Sequence, residues 1–437
     1  MLGYYLDMAW RSLARNKVLT ALMVLAIGLG IGASMTMITV LHVLTDDPLP
    51  GRSSQLFTPH LDPLPLNYKQ RGEGSDPADN FTWPDAMALL KAHPAERQAA
   101  MAGGTLLVRP ARADLRPFNA DGRYATADFF AMFGVPFEHG QGWSTADDAA
   151  RVQVVVLSNT LDRALFGNGS GIGQVVRLGD HDFRVIGVTA DWQPKPVFYA
   201  DPGAQHYSDA DQFFLPLAVA VDLKLSINGN QSSWVKHDDS NNLTRASMTW
   251  LQFWVQLDSP AQVHVYRQFL VDYSAQQKTL GRFERPATDA KLYSLMGWLT
   301  HENLVPNDVR LQLWLALGFL FVCMVNIAAL LLAKFLRRSG EISVRRALGA
   351  RRRDIFLQLG IESALIGVAG GMLGLVIAQI GLWSVRHRPD DYAQLAQMDM
   401  PMLLGTLTLA IVASVLAGLM PAWRACRVPP ALQLKTQ

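Results

Sequence analysis

The stretch LQLWLALGFLFVCMVNIAALLLA, residues 311–333, is 23 residues long, carries no charge and is bounded by Arg310 and Lys334. A helix of this length and apolarity can cross a bilayer. It is followed by KFLRRSGEISVRRALGARRRD, residues 334–354, which holds eight Lys/Arg against two acids, and then by a second uncharged run, Ser363–Val385. We call residues 334–354 the basic loop. A short, strongly basic loop between two spans is typical of the cytoplasmic side of a membrane.

The middle of the basic loop, Glu341–Ala350, has the pattern of a short helix. Ile342, Val344, Ala347 and Leu348 form an apolar stripe, and arginines occupy much of the remaining surface. Two interpretations fit this pattern. The loop can be a topogenic anchor only, or its helix can dock on a cytoplasmic partner, and the periodicity does not decide between them.

The run EISVRRALGARRRDI, residues 341–355, resembles the loop before the third helix in permeases of the MacB/FtsX type, which are subunits of ABC transporters. In that family the loop forms a coupling helix seated on the ATPase. The resemblance implies that the ATPase-coupling residues of this chain are Glu341, Val344, Arg345, Arg346, Ala347, Leu348, Gly349, Ala350 and Arg351. It implies that residues 347–349 enter a groove on the ATPase.

The chain of 437 residues has four uncharged runs of spanning length: Val18–Leu44, Leu311–Ala333, Ser363–Val385 and Met400–Trp423. They predict a membrane protein with an α-helical four-span bundle and a large α+β domain inserted between the first and second spans. The predicted segments are a surface helix (1–17), a span (18–44), the domain (45–310), a span (311–333), the basic loop (334–354), a span (355–385), an outer loop (386–399), a span (400–423) and a tail (424–437).

The distribution of basic residues predicts the orientation. The two ends and the basic loop together carry 14 Lys/Arg, whereas residues 386–399 carry two. By the positive-inside rule, both termini and the basic loop are expected in the cytoplasm, and the large domain is expected outside. With the family resemblance, this predicts a multi-pass protein of the bacterial inner membrane whose domain lies in the periplasm.

Charge and cysteine content exclude several classes of protein. Residues 45–310 hold 23 Lys/Arg and 30 Asp/Glu, so the basic excess lies at the predicted membrane segments. Anionic lipid headgroups account for that excess better than nucleic acid does. The two cysteines, Cys323 and Cys426, lie outside the domain, which therefore cannot be a disulfide scaffold.

Two features of the predicted helices concern packing. Residues 3–17 alternate aromatic and charged side chains, which predicts an amphipathic helix on the inner membrane surface. Small residues four apart let helix backbones approach closely. They can pack within one chain or between two chains, and the sequence leaves both open. The pairs are Gly28 with Gly32, Gly367 with Gly371, and Gly370 with Gly374.

Local signals in the domain predict alternating helices and strands. Segments such as VVVLSNTL, residues 154–161, and FRVIGV, residues 183–188, resemble the periplasmic domain of MacB-type permeases. Residues 45–80, 190–210 and 225–248 are expected to be loops. The predicted elements are a helix from Trp83 to Leu90, a helix capped by Thr126 and ended by Gly134, a strand over 152–157, a helix capped by Ser158 and stopped by Gly167, a hairpin over 175–188, a strand over 250–257 and a helix from Pro260.

The sequence contains no GxxxxGK[ST] and no HExxH motif. The chain is therefore expected to have no catalytic residue, bound cofactor or metal site of its own, and not to be an enzyme. Glu362 is an acidic residue one turn into the third span, where it could have either a functional or a structural role. Intramembrane acids are functional candidates by default, but the arginines nearby favour a structural ion pair.

The resemblance implies a function. The chain is expected to be the permease of an ABC transporter that converts ATP binding into motion of its outer domain, most simply for efflux. The expected partners are two copies of a separate cytoplasmic ATPase that binds ATP and Mg, a second permease chain (identical or different), membrane lipid, and a periplasmic adaptor with an outer-membrane channel. No nucleic acid is expected. Lipoprotein release, regulation of a cell-wall hydrolase as in FtsX, and a sensor without any ATPase remain alternatives.

Overall fold

The computed structural model divides the chain into two units, which are treated separately below. The helical unit is Met1–Thr45 with Val305–Gln437, and the inserted domain is Asp46–Leu304. The structure describes residues 2–68, 79–112, 114–167, 169–199, 209–235, 242–303, 305, 307–338, 340, 344–345, 348–388 and 398–427.

Along the described residues the α-helices are α1 (Leu2–Arg15), α2 (Lys17–Thr45), α3 (Trp83–Ala92), α4 (Asp128–Phe133), α5 (Thr145–Ala150), α6 (Asn159–Phe166), α7 (Leu217–Asp222), α8 (Pro260–Thr279), α9 (Leu295–His301), α10 (Asn307–Arg337), α11 (Arg352–Arg386) and α12 (Met400–Arg427). The strands are β1 (Leu56–His60), β2 (Phe81–Thr82), β3 (Arg97–Arg109), β4 (Phe118–Ala125), β5 (Phe137–Gly140), β6 (Val154–Ser158), β7 (Val175–Leu178), β8 (His181–Thr189), β9 (Phe213–Pro216), β10 (Ser232–Ser233), β11 (Met248–Gln256) and β12 (Lys291–Ser294).

Four helices of the helical unit, α2, α10, α11 and α12, are long and apolar enough to cross a membrane, with mean hydropathy between 2.1 and 2.6. The prediction of four spans with a large domain between the first and second is confirmed. The helices are longer than the apolar runs, because a helical backbone continues into its polar ends. Helix α10, with 31 residues, is about 46 Å long at ~1.5 Å per residue, beyond the roughly 30 Å of a hydrocarbon core.

The basic loop ends earlier than the predicted boundary at residue 354. Arg351 has extended backbone angles and precedes the first residue of α11, Arg352. Asp354 lies in the first turn of α11, where a negative charge is favoured by the helix dipole. Helix α11 therefore begins inside the segment that the sequence predicts as loop.

The four long helices of the helical unit pack against one another through α2 and α12. Helix α2 contacts α10 and α11, and α12 contacts α10 and α11. Their shared core is apolar and includes fully buried Ile31, Leu331 and Ile366.

The inserted domain is built on one mixed sheet with the strand order β12-β1-β11-β3-β4-β9-β6-β8-β5. Strands β2 and β10 pair with β11, and β7 pairs with β3 and β8. The pairs β4–β9 and β6–β8 are parallel, and the others along this order are antiparallel. The predicted combination of returning strands and short helices is confirmed.

Both faces of this sheet are buried. Ala100 and Ala102 of β3 belong to one apolar cluster, and Ala99 and Met101 belong to a second cluster. Successive side chains of a strand point to opposite faces, so the two clusters lie on opposite sides of the sheet. Such burial explains why the strands read as continuous apolar runs rather than as alternating patterns.

Several local predictions for the domain are confirmed. The hydroxyl of Ser158 accepts from the amide of Leu161 and caps α6, which ends at Gly167. The 175–188 hairpin is formed by β7 and β8.

Two local predictions are wrong. Thr126 does not cap α4, since its hydroxyl accepts from the amide of Ala100 at the end of the β3–β4 pairing, and the helix follows Ala127. Residues 45–80 and 225–248 are not all loop, because the first segment contains β1, which pairs with β11 and β12, and the second contains β10, which pairs with β11.

Candidate functional site

The described part of the basic loop contains the end of a helical turn. The amide of Leu348 donates to the carbonyl of Val344 at 3.0 Å, and the amide of Ala350 donates to the carbonyl of Arg345 at 3.0 Å. Gly349 between them has φ +100°. Helices commonly end in this way, with a hydrogen bond that spans six residues and encloses a glycine in the left-handed conformation. Among the predicted coupling residues, Glu341, Arg346 and Ala347 lie outside the described residues, as does Ile342.

This turn presents apolar side chains to the surface. Leu348 is 83% exposed and Val344 is 50% exposed. A Cβ added at Gly349 would meet nothing within 4 Å. The turn therefore offers a small apolar surface with open space around it.

The base of the turn is fixed to the helical unit. The guanidinium of Arg345 donates to the side-chain oxygen of Gln358 on α11 at 3.3 Å and lies 3.8 Å from the sulfur of Met8 on α1. Ala350 packs against the apolar core of the helical unit. The carbonyl of Arg351 accepts from the amide of Asp354 and so joins the turn to α11. The exposed residues 344 and 348 are thus held on a supported base.

A cluster of charged and polar side chains lies beside this base. We call Ser12, Lys334, Arg338 and Glu362 the polar cluster. Glu362 is fully buried, and its Oε1 lies 2.5 Å from Nζ of Lys334, which is 1% exposed. The same Oε1 accepts from the hydroxyl of Ser12 at 2.6 Å. The guanidinium of Arg338 lies 3.7 Å from Oε2 and also donates to Ser12.

The polar cluster connects three helices through one carboxylate. Ser12 comes from α1, the two cations come from α10, and Glu362 comes from α11. A buried carboxylate is strongly destabilising unless cations and hydrogen bonds compensate it, and here both are present. The expectation that Glu362 makes a structural ion pair agrees with this geometry.

Helix α1 packs against the other helices of the helical unit. Its Ala9 and Ser12 are buried, and it contacts α11 and α2. The exposed face carries Arg11, which pairs with Asp7 at 2.9 Å. Its amphipathic pattern is therefore used, at least in part, for packing on α11, and the membrane-surface position stays a prediction.

The predicted glycine pairs lie at close contacts between helices of the same chain. A Cβ added at Gly32 would lie 2.6 Å from the side chain of Ile377. Across the α2–α11 contact, Gly28 faces Leu373, Gly32 faces Ile377, Gly370 faces Ile27 and Gly374 faces Ile31; across the α11–α12 contact, Gly367 faces Ser414 and Gly371 faces Ala410.

Sequence reasoning missed Ser12, Lys334 and Gly30. Gly30 faces Leu320 and Cys323 of α10, and its signal was the alternation of glycines along GLGIG, residues 28–32. Lys334 was counted only as a charge of the basic loop. Within the described residues, no group of three or more His, Cys, Asp or Glu could hold a metal ion.

Two family models match the chain. The MacB-like periplasmic core domain matches residues 20–268, and the FtsX-like permease C-terminal region matches residues 314–430. The first match spans more than half of the 437 residues, and the second includes the basic loop, most of the predicted span before it and the whole of the span after it.

Curated relatives match nearly the whole chain. The pyoverdine export ATP-binding/permease protein PvdT of Pseudomonas entomophila (strain L48) is 26% identical over 438 residues, which is 99% of this chain and 59% of that protein. The macrolide export ATP-binding/permease protein MacB of Escherichia coli (strain K12) is 26% identical over 430 residues, which is 97% of this chain and 59% of that protein. The chain thus spans about three fifths of the length of these relatives.

Among solved structures, the periplasmic region of MacB from Actinobacillus actinomycetemcomitans is 15% identical. The match covers 58% of this chain and 94% of that one, with a TM-score of 0.37.

Proposed function

Because this chain belongs to the family with a MacB-like periplasmic core domain and an FtsX-like permease region, we propose that it is the permease part of an exporter driven by an ATPase that lies outside the 437 residues. ATP binding would move the basic loop, and α2 and α10 would carry that motion to the inserted domain. The names of the matched relatives, which are export proteins, favour export over lipoprotein release and over regulation of a cell-wall enzyme.

The observation that carries the proposal is the pair of short junctions between the helical unit and the inserted domain. Helix α2 ends at Thr45 and the domain begins at Asp46; the domain ends at Leu304 and α10 begins at Asn307. Two helices that enter the domain without a long linker cannot move independently of it. A domain that was only anchored to the membrane would not need such short connections to its helices.

The exposed turn of the basic loop supports ATPase docking at residues 344–351. Leu348 and Val344 offer apolar surface, Arg345 supports the turn, and α1 and α11 hold its base. In this proposal ATP and Mg are bound by the ATPase, two copies of which work with two permease chains. In the same proposal the basic loop, α1 and both termini lie in the cytoplasm, the four spans cross the inner membrane, and the domain lies in the periplasm.

The test is a flexible insert at a junction. About ten Gly/Ser residues between Leu304 and Val305 behave as random coil and would uncouple α10 from the domain. The insert lies before Asn307, so α10 itself is left unchanged. We expect ATPase binding and basal hydrolysis to be retained and export to be lost.

A matched control carries the same insert between Arg116 and Pro117, in the exposed connection between β3 and β4. This control should export normally, because the junctions are unchanged. If the junction variant exports at the rate of the control, force is not carried through this junction and the proposal is wrong.

A further inference from the structure

The inserted domain contains a cavity of about 360 Å³ between its short helices α3, α5 and α7. Pockets that bind small molecules have volumes of roughly 300–1,000 Å³, so this cavity is large enough for a compact ligand. Its apolar wall is formed by Trp83, Met87 and Leu90 of α3 and by Leu217 of α7.

The apolar wall is held in place from behind. The ring of Trp83 stacks on Trp250, with 6.2 Å between centroids and an interplanar angle of 2°. Asp85 of α3 is fully buried, pairs with Arg282 at 2.9 Å and accepts from the hydroxyl of Tyr273 at 2.7 Å. With α3 fixed in this way, the cavity is preformed and a ligand need not order it.

Two carboxylates line the same cavity. Asp128 accepts from the amide of Gln98 at 3.1 Å, and Asp148 accepts from the amide of Ala127 at 2.7 Å. Each of these bonds uses Oδ2, and the side chain of Trp143 is a further hydrogen-bond partner of Asp148. Burial raises the pKa of Asp148 to about 6; the Ala127 amide and the Trp143 side chain oppose this shift, and the charges of Asp128 and Asp147 add to it.

The cavity lining carries no compensating cation. Among its described residues there is no lysine or arginine, and His93 is the only basic side chain. Arg151 reaches the carbonyl of Ala218 at the cavity edge, but it pairs with Asp222 at 2.6 Å, so its charge is balanced there. The cavity therefore carries the negative charge of two carboxylates, and no lysine or arginine of its described lining balances that charge.

We propose that this cavity binds a small amphiphilic cation, an organic amine whose apolar body packs on Trp83, Met87 and Leu90 and whose ammonium group pairs with Asp148 and Asp128. The apolar part gains from leaving water, and the ammonium compensates a carboxylate that is partly removed from water. A neutral ligand of the same shape leaves the negative charge of that carboxylate without a compensating cation. The proposal goes beyond the proposed function, because binding requires neither ATP nor transport.

The test compares 4-phenylbutylamine with 4-phenylbutanol, which share a carbon skeleton and differ in charge. Both are titrated at pH 7.5 onto the full chain in lipid nanodiscs, and ligand-observed NMR is corrected with empty nanodiscs. We expect saturable binding of the amine, at least tenfold tighter than binding of the alcohol. Met87→Trp should fill the cavity and abolish binding of both compounds.

Two variants separate the cavity carboxylate from charge in general. Asp148→Asn keeps an acceptor for the amide of Ala127 and should reduce the preference for the amine to less than threefold. Asp147→Asn removes the same charge one residue away, where the carboxylate bonds to Ser144 and does not line the cavity. It should leave the preference unchanged.

Three results would overturn the proposal. Equal affinity for amine and alcohol on the unmodified chain would mean that the cavity accepts any apolar group, such as a side chain of a partner protein. Absence of saturable amine binding would mean that it is not a ligand site for this class. Binding that survives Met87→Trp would place the ligand elsewhere. The comparison of the two probes on the unmodified chain does not depend on the folding of any variant.

Discussion

The change Lys334→Met should destabilise the helical unit by several kcal/mol. It removes the cation that lies 2.5 Å from Glu362 and leaves this carboxylate fully buried. Removing one partner of a buried ion pair costs about 3–5 kcal/mol. Because the guanidinium of Arg338 remains 3.7 Å from Oε2 and the hydroxyl of Ser12 still donates to Oε1, we expect the lower end, about 3 kcal/mol.

The opposite deletion should cost more. Glu362→Gln leaves Lys334, which is 1% exposed, as a buried ammonium beside a second cation, Arg338. We therefore expect the upper end, about 5 kcal/mol. The double variant removes both charges of the closest pair, and Arg338, whose side chain is 22% exposed, can turn toward solvent. It should lie within about 1 kcal/mol of the unmodified chain, since a neutral replacement of a buried pair is often tolerated.

The assay uses a cysteine that reports on the helical unit alone. Cys323 is 5% exposed in α10, and the inserted domain contains no cysteine. In a Cys426→Ser background, a thiol-reactive dye therefore reacts as the helical unit unfolds. For a unit of about 180 residues, 1 kcal/mol corresponds to roughly 2–4 °C in the unfolding midpoint. Lys334→Met should then lower the midpoint by roughly 6–12 °C.

An exposed ion pair provides the matched control. Arg11 and Asp7 of α1 lie 2.9 Å apart with side chains that are 78% and 54% exposed, and Arg11→Met should change the midpoint by less than about 2 °C. The reasoning is refuted if Lys334→Met behaves like this control. It is also refuted if the double variant loses as much stability as the two single variants together, because the charges would then not be coupled.

Two further predictions concern the surface turn and the cavity. Leu348→Asp should weaken ATPase binding about a hundredfold, or by about 3 kcal/mol, because it places an unpaired charge in the contact. It should not lower the unfolding midpoint, because Leu348 is 83% exposed. Leu280→Asp, at an exposed leucine of the inserted domain, is the control, and equal pull-down of the ATPase by both variants would contradict the docking surface. Burial raises the pKa of Asp148 to about 6, so the folded chain binds this proton more readily than the unfolded chain, and stability falls as the pH rises from about 4 to about 6. Asp148→Asn should therefore match the unmodified chain near pH 4 and exceed it in the tryptophan-fluorescence unfolding midpoint above pH 6, and a difference that is constant with pH would contradict this.

The spans and short local elements could be predicted because their signals are continuous in the sequence. Twenty or more uncharged residues, or a serine cap followed by a helix and a glycine, carry their meaning within one segment. Strand β1 lacks such a signal: it contains Pro59 and is only five residues long. It is defined by pairing with β11 and β12, from Phe57 to Val255 and from Thr58 to Tyr293, and these partners are about 200 residues away.

The polar cluster could be predicted only in part for the same reason. Glu362 stood out as an acid in an apolar run, and the arginines nearby indicated an ion pair. Its closest cation, Lys334, marks the end of an apolar run and reads as an ordinary flanking charge. Ser12 donates to Glu362 across 350 residues of sequence, and no local pattern distinguishes that serine from an exposed one.

The position of the polar cluster gives a reason for burying charge at this place. An apolar replacement of similar volume could give equal stability, so stability alone does not explain a buried Lys334–Glu362 pair. A carboxylate that must contact Ser12 of α1 and Lys334 of α10 at once fixes how these helices lie on α11, since a shift of either helix by one turn would break one of these two contacts. Helix α1 also meets the basic loop through Met8 and Arg345. A force applied to the basic loop would therefore be resisted by α1, α10 and α11 together, which is what the proposed transmission of motion requires.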